Sequence, residues 1–293
     1  MKPKTVLILI SGVVAVSFAA IFIRMSTAPP LIISFYRMFF SSVLIFMFAS
    51  LRGDIGAELR KLRGKDILLL IIAGLFLSFH FAFWVTSLSY TSVASSVVLV
   101  TTQPLFIVLI EGTFLDKNPS KKFLAGLVVA AAGSFLIGFG DFHTAEFGLI
   151  GDVFALLGAI MAAGYFLIGG EVRDRIKILP YILIVYGFSS VFLFGFCLLK
   201  GLPMLSYSGY NFFIFLLLAL IPTLIGHTSF NWLLKEVKAS MVGVTILGEP
   251  IGASLLAIIF FDEYPSYWVI AGGSFVLLSI YLLWRQRQFR EVV

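Results

Sequence analysis

Gln103-Pro104, in Val98-Leu99-Val100-Thr101-Thr102-Gln103-Pro104, is met again as Glu249-Pro250, in Val244-Thr245-Ile246-Leu247-Gly248-Glu249-Pro250; the two pairs lie 146 residues apart, each inside a long apolar run. The following residues keep the same offset: Phe114, Asp116, Pro119 and Gly126 recur as Phe260, Asp262, Pro265 and Gly272. Looser matches pair Pro30 and Tyr36 with Pro180 and Tyr186, and His80 with His227. The chain reads as a duplicated unit with a polar residue and a helix breaker in the penultimate apolar run of each copy.

Composition sets the solvent. Hydrophobic residues make up 60% of the 293 and charged residues 12%, against about 45–50% and about 25% in soluble domains. Runs of about 20 apolar residues cross a bilayer as helices, so the expected class is an all-α polytopic membrane protein. Reading the runs against their breaks gives ten transmembrane helices, near 5–24, 31–50, 67–87, 92–113, 121–140, 148–170, 179–200, 211–233, 239–261 and 266–284. The first run exceeds a signal-peptide core and is read as a retained helix. All ten belong to a single membrane domain over 1–293, with one five-helix repeat over 5–140 and a second over 148–284.

Lys and Arg stay on the cytoplasmic side of short loops. With the N-terminus inside, the cytoplasmic segments hold 18 of the 21 basic residues: Lys2, Lys4, Arg52, Arg60, Lys61, Arg63, Lys65, Lys117, Lys121, Lys122, Arg173, Arg175, Lys177, Lys235, Lys238, Arg285, Arg287 and Arg290. Only Arg24 and Lys200 fall outside, and Arg37 lies within a helix. The net charge of +6 is therefore a topology signal rather than a nucleic-acid footprint, and both termini are expected in the cytoplasm. Five is odd, so the second repeat enters the membrane inverted, as in secondary transporters with a midplane site between repeats. At about 1.5 Å per residue, Gln103 and Glu249 both fall near that midplane.

The chain resembles the ten-helix EamA-type exporters of the drug/metabolite transporter superfamily. The resemblance rests on Phe18 through Arg24, Pro30 and Arg37; on Ala94 to Pro104 and Gly126; and on Leu247-Gly248-Glu249-Pro250, Asp262-Glu263 and Gly272. It implies export of a small solute across a bacterial or archaeal cytoplasmic membrane, without a cofactor. One departure stands out: the first copy has Asp116-Lys117 where the second has Asp262-Glu263, so an acidic brace at that loop is expected in one copy only.

A charge at a helix centre costs about 2.5–3.5 kcal/mol on insertion scales, so each deep one needs a reason. Glu249 is read as an acceptor for a proton or a substrate amine; the bland reading is a neutral carboxyl bonded between helices. Pro250 removes a backbone donor and is expected to free the carbonyl of Ile246. Gln103, beside Pro104, can only hydrogen-bond. Arg37 can bind a carboxylate bidentately, pair with Glu249, or snorkel outward; the resemblance implies a structural or gating role. His80 and Trp84 share one face of the third helix, and Thr223, His227 and Asn231 one face of the eighth. Tyr165 is a further aromatic wall for an amphipathic solute. Glu111 and Asp152, near helix ends where a charge can reach the interface, are read as structural, and Cys197 as a small buried hydrophobe.

The leading expectation is a secondary transporter of a small polar or amphipathic metabolite such as an amino acid. It alternates access at the midplane, with proton coupling and facilitated diffusion both open. The solute and the lipid are its partners; a homodimer is compatible with the sequence. A nucleotide-sugar or organic-phosphate exchanger of the same fold is the alternative, as is a non-transporting sensor. No catalytic constellation, metal-ligand spacing or ATP-binding loop is present in the sequence.

Overall fold

The computed structural model describes residues 3–53, 55–114, 121–144, 147–236, 239–246 and 248–284. Asp116, Pro119, Leu247 and the basic residues Lys2, Lys117, Lys238, Arg285, Arg287 and Arg290 lie outside these, as do the side chains of Lys4, Lys121 and Lys122.

All regular structure among the described residues is helical. In chain order it comprises α1 (Pro3–Ser17), α2 (Ala19–Met25), α3 (Pro30–Arg52), α4 (Ile55–Leu59), α5 (Gly64–Ser87), α6 (Val93–Val100), α7 (Gln103–Phe114) and α8 (Lys121–Thr144). Then come α9 (Gly148–Val172), α10 (Ile178–Leu199), α11 (Gly209–Leu218), a π-helical segment (Ala219–His227), α12 (Thr228–Leu233), α13 (Ala239–Thr245), α14 (Gly248–Phe261) and α15 (Tyr267–Trp284). Among the described residues, seven helical stretches are long and apolar enough to cross a membrane: Thr5–Met25, Pro30–Arg52, Gly64–Ser87, Val93–Gly112, Gly148–Val172, Ile178–Leu199 and Gly209–Leu233. Three shorter apolar helices accompany them, Val128–Ile137, Gly248–Phe261 and Tyr267–Ser279.

The two proline sites are breaks, not bends. Gln103 and Pro104 open α7, and Glu249 and Pro250 sit at the start of α14. A threonine seals the carbonyls before each break: the Thr102 hydroxyl donates to Leu99 O at 2.6 Å, and the Thr245 hydroxyl to Val242 O at 2.6 Å. One sequence expectation fails here. The Ile246 carbonyl is not free, because the chain tightens and the Glu249 N–H donates to it at 2.8 Å. The three-residue turn replaces the bond that Pro250 cannot make.

Loops gather into two groups. In one, Arg175 pairs with Asp66 at 2.8 Å and Lys177 with Glu58. In the other, Asn211 accepts from Ser26 Oγ at 2.7 Å and from the Thr27 N–H at 3.1 Å. There too, Glu263 accepts from the Val93 N–H at 2.5 Å and from Arg24 at 2.8 Å, while Arg24 also donates to Leu88 O at 2.8 Å. The 24-residue α5 joins the groups across about 36 Å. Asp262, at φ 54°, closes α14 in the left-handed conformation that Asp tolerates. That turns Glu263 onto the positive N-terminus of α6. The second copy's loop acid therefore braces a helix of the first copy.

Helices α8 and α15 cross antiparallel, close enough that only glycine fits. A Cβ on Gly133 would meet the Gly272 carbonyl oxygen, and one on Gly272 would meet that of Gly133. Nearby, the Ser279 hydroxyl donates to Gly126 O at 2.5 Å. Helix α9 also packs closely on α5, where a Cβ on Gly158 would lie 3.3 Å from Trp84. Small residues that let backbones approach are the usual basis of helix association in lipid.

Candidate functional site

The breaks and the close helix packing bring the polar residues of both halves to one narrow cleft, partly open to its surroundings. His80 and Trp84 enter it from α5, Thr101 and Gln103 from the first break, His227 from the π-helical segment and Glu249 from the second break. Val16, Phe166 and Phe230 form apolar walls. The walls stand close, leaving room for water-sized groups rather than for a whole metabolite.

The two histidines meet: their ring centroids lie 6.2 Å apart. His80 is stacked on Trp84 at 6.0 Å with 12° between the planes, and its Nδ1 lies 2.9 Å from Gly158 O. A carbonyl only accepts, so that nitrogen carries the proton. His227 Nδ1 has no hydrogen-bond partner among the described residues, nor does Trp84 Nε1. Gln103 and Glu249 are 4% and 7% exposed, deep enough that solute or water must reach them through the cleft.

Arg37 stands beside the cleft rather than in its lining. Fully buried, it does not snorkel. Its guanidinium lies 4.1 Å from the Phe81 ring centroid and 5.9 Å from that of Trp84, a cation–π arrangement. Nε donates to Thr223 Oγ1 at 2.7 Å, while both terminal nitrogens lack a hydrogen-bond partner among the described residues. No ion pair joins Arg37 to Glu249 among those residues.

Asn231 and Tyr165 sit elsewhere. The Tyr165 hydroxyl donates to Asn231 Oδ1 at 2.5 Å, and Asn231 Nδ2 donates to Tyr186 Oη at 3.0 Å. Arg173 Nε donates to the Asn231 backbone carbonyl at 3.0 Å. This buried cluster fixes α9, α10 and α12 to one another beyond the cleft. Asp152, expected where a charge can reach the interface, is 3% exposed.

Sequence reasoning passed over the apolar lining and the π-helical segment. Only Pro222 announced the latter. A proline inside a helix removes one i→i−4 bond, and the π pattern supplies the Leu218 carbonyl with donors one residue further on. Among the described residues no group of three His, Cys, Asp or Glu is placed to hold a metal ion.

Known proteins share this plan. A profile described as the EamA-like transporter family matches residues 3–139 and again 149–285. An uncharacterized transporter of Archaeoglobus fulgidus is 24% identical over 273 residues, 91% of each chain. The uncharacterized transporter YdfC of Bacillus subtilis is 24% identical over 282 residues, covering 93% of this chain and 89% of its own. A crystal structure superposes with a TM-score of 0.70 at 16% identity, covering 99% of this chain and all of the other, a likeness of fold alone.

Proposed function

The chain belongs to the EamA-like transporter family of the drug/metabolite transporter superfamily, and from that premise we propose that it exports a small metabolite carrying a carboxylate and an amine, such as an amino acid. The observation that carries the reading is the convergence of Gln103, His80, Trp84, His227 and Glu249, from both halves, on one cleft between two helix breaks. Half-helix termini and unwound backbone at midplane depth are the usual materials of a transport site. Glu249 takes the amine or a proton, the free nitrogens of His227 and Trp84 bond the solute, and Arg37 meets the carboxylate. The tight cleft is one station of an alternating-access cycle, and a wider state admits the solute.

The topology proposed with it is ten spans in two inverted five-helix repeats, both termini cytoplasmic, in a cytoplasmic membrane. Support comes from the α8–α15 crossing. At the 146-residue offset, Gly126 corresponds to Gly272 and Gly133 to Ser279. The contacts Gly126–Ser279 and Gly133–Gly272 therefore exchange under a two-fold axis. The helices run antiparallel, so that axis is perpendicular to them, as inversion requires.

Proteoliposomes loaded with the twenty amino acids test the function, with efflux followed by mass spectrometry with and without a pH gradient. Protein-dependent release of one or a few amino acids is expected, faster when protons can exchange. Release of none, with the protein shown to be correctly inserted, removes the amino-acid reading. Binding of a solute without flux identifies a sensor instead.

A further inference from the structure

Among the described residues the Arg37 guanidinium, with five donors, makes one hydrogen bond, and that bond goes to a residue whose own geometry is unusual. Thr223 follows Pro222 in the π-helical segment. Its hydroxyl donates to Leu218 O at 2.8 Å, five residues back, and accepts from Arg37 Nε at 2.7 Å. Leu218 is the carbonyl that residue 222 would serve in an α-helix, and proline has no N–H to give. A hydroxyl holds a single proton. Since the Leu218 carbonyl claims it, Thr223 can meet Arg37 only as an acceptor. A second tie holds the same helices together: the Ser41 hydroxyl donates to Arg37 O at 2.7 Å and reaches Ala219 O at 3.4 Å.

We propose that Thr223 is the positioning residue for Arg37: the hydroxyl, oriented by the carbonyl that Pro222 leaves unserved, grips Nε and commits the paired terminal nitrogens to an anionic ligand. The Nε edge is occupied, and Phe81 covers one face of the guanidinium plane. What remains is the fork edge, whose two parallel donors match a carboxylate. Leaving those charged donors unbonded in a buried place carries a desolvation cost that ligand binding removes. The inference rests on the reading of Arg37 as the carboxylate-binding group of the transport cleft.

The test is arginine side-chain NMR on full-length protein in detergent micelles, labelled with ¹⁵N-arginine. Loss of one signal in Arg37→Lys assigns the Arg37 Nε–H. Wild type and Thr223→Ser are expected to show that signal shifted downfield and protected from exchange with water. In Thr223→Val both features are lost, and Thr223→Ala serves as a second hydroxyl-less variant where the Val form does not fold. A bonded, protected Nε–H in either hydroxyl-less variant overturns the proposal, as does loss of the signal in Thr223→Ser.

Binding of phenylacetate, a carboxylate probe, gives the second arm. Thr223→Val is expected to weaken it about tenfold, Thr223→Ser to leave it nearly unchanged, and neither to alter benzylamine binding. Equal phenylacetate binding by wild type and the Val form counts against the positioning role. Failure of wild type to bind phenylacetate removes the carboxylate reading of Arg37 instead, and the NMR result then decides the Thr223–Arg37 contact by itself.

Discussion

His80 and His227 occupy matching places in the two halves and face the same cleft, yet they are held differently. His80 sits on a regular helix with Nδ1 against the Gly158 carbonyl at 2.9 Å. His227 ends a π-helical segment, and its Nδ1 has no hydrogen-bond partner among the described residues. The break residues repeat the contrast, since Gln103 can only bond whereas Glu249 can also hold a charge. Duplication supplied two equal frames; the second carries the groups free to change partner or proton. The first half thus reads as the fixed wall of the site and the second as its responsive one.

The largest effect that would break this comparison concerns the two break residues. Glu249→Gln is expected to reduce the gradient-driven part of the flux by about tenfold or more, as loss of an intramembrane proton carrier does. Gln103→Ala should lower affinity while keeping the response to pH. Proteoliposome efflux at a fixed solute concentration, with and without a pH gradient, measures both. Unchanged gradient dependence in Glu249→Gln ends the division of labour.

The histidines give the next largest effect. His80→Phe removes the second hydrogen bond to the Gly158 carbonyl, which keeps the one from its own helix, and should lower stability by about 0.5–1.5 kcal/mol, read as a lower melting temperature in detergent. His227→Phe should leave the melting temperature nearly unchanged and impair flux. If the two variants behave alike, the open Nδ1 of His227 has no functional meaning.

The smallest effect belongs to the loop acids. Glu263→Gln weakens a partly exposed ion pair and should cost about 1 kcal/mol or less. The local signature is sharper in Glu263→Ala: the Val93 amide loses its acceptor and should exchange faster with deuterium. No change at Val93 would show that the brace across the halves is dispensable.

The sequence made the all-helical membrane class and the two breaks legible because lipid enforces them. Apolar length is a transfer energy written residue by residue, and Gln103-Pro104 and Glu249-Pro250 interrupt it visibly. His80 and His227 could be paired by their offset. The sequence could not say that Tyr165 and Asn231 would satisfy one another away from the cleft, because hydrogen-bond choice among buried groups is settled by packing. Nor could Pro222 reveal by itself whether its helix would kink or widen. Thr223 then looked like one polar residue of a stripe, and its grip on Arg37 emerged only once α3 lay against the widened turn. The fate of the Ile246 carbonyl was hidden for a similar reason: a tightened turn and a kink begin from the same Glu-Pro pair.

The reciprocal contact of Gly133 with Gly272 has an ancestry in it. A crossing that maps onto itself when the halves are exchanged is a surface that recognises its own copy. A gene of half this length would have encoded everything the contact needs, provided its product settled in the membrane facing both ways. In the inverted topology proposed above, joining two such copies in one chain would have fixed their opposite senses and released each from having to serve both. Glutamate could then arise at one break while glutamine stayed at the other.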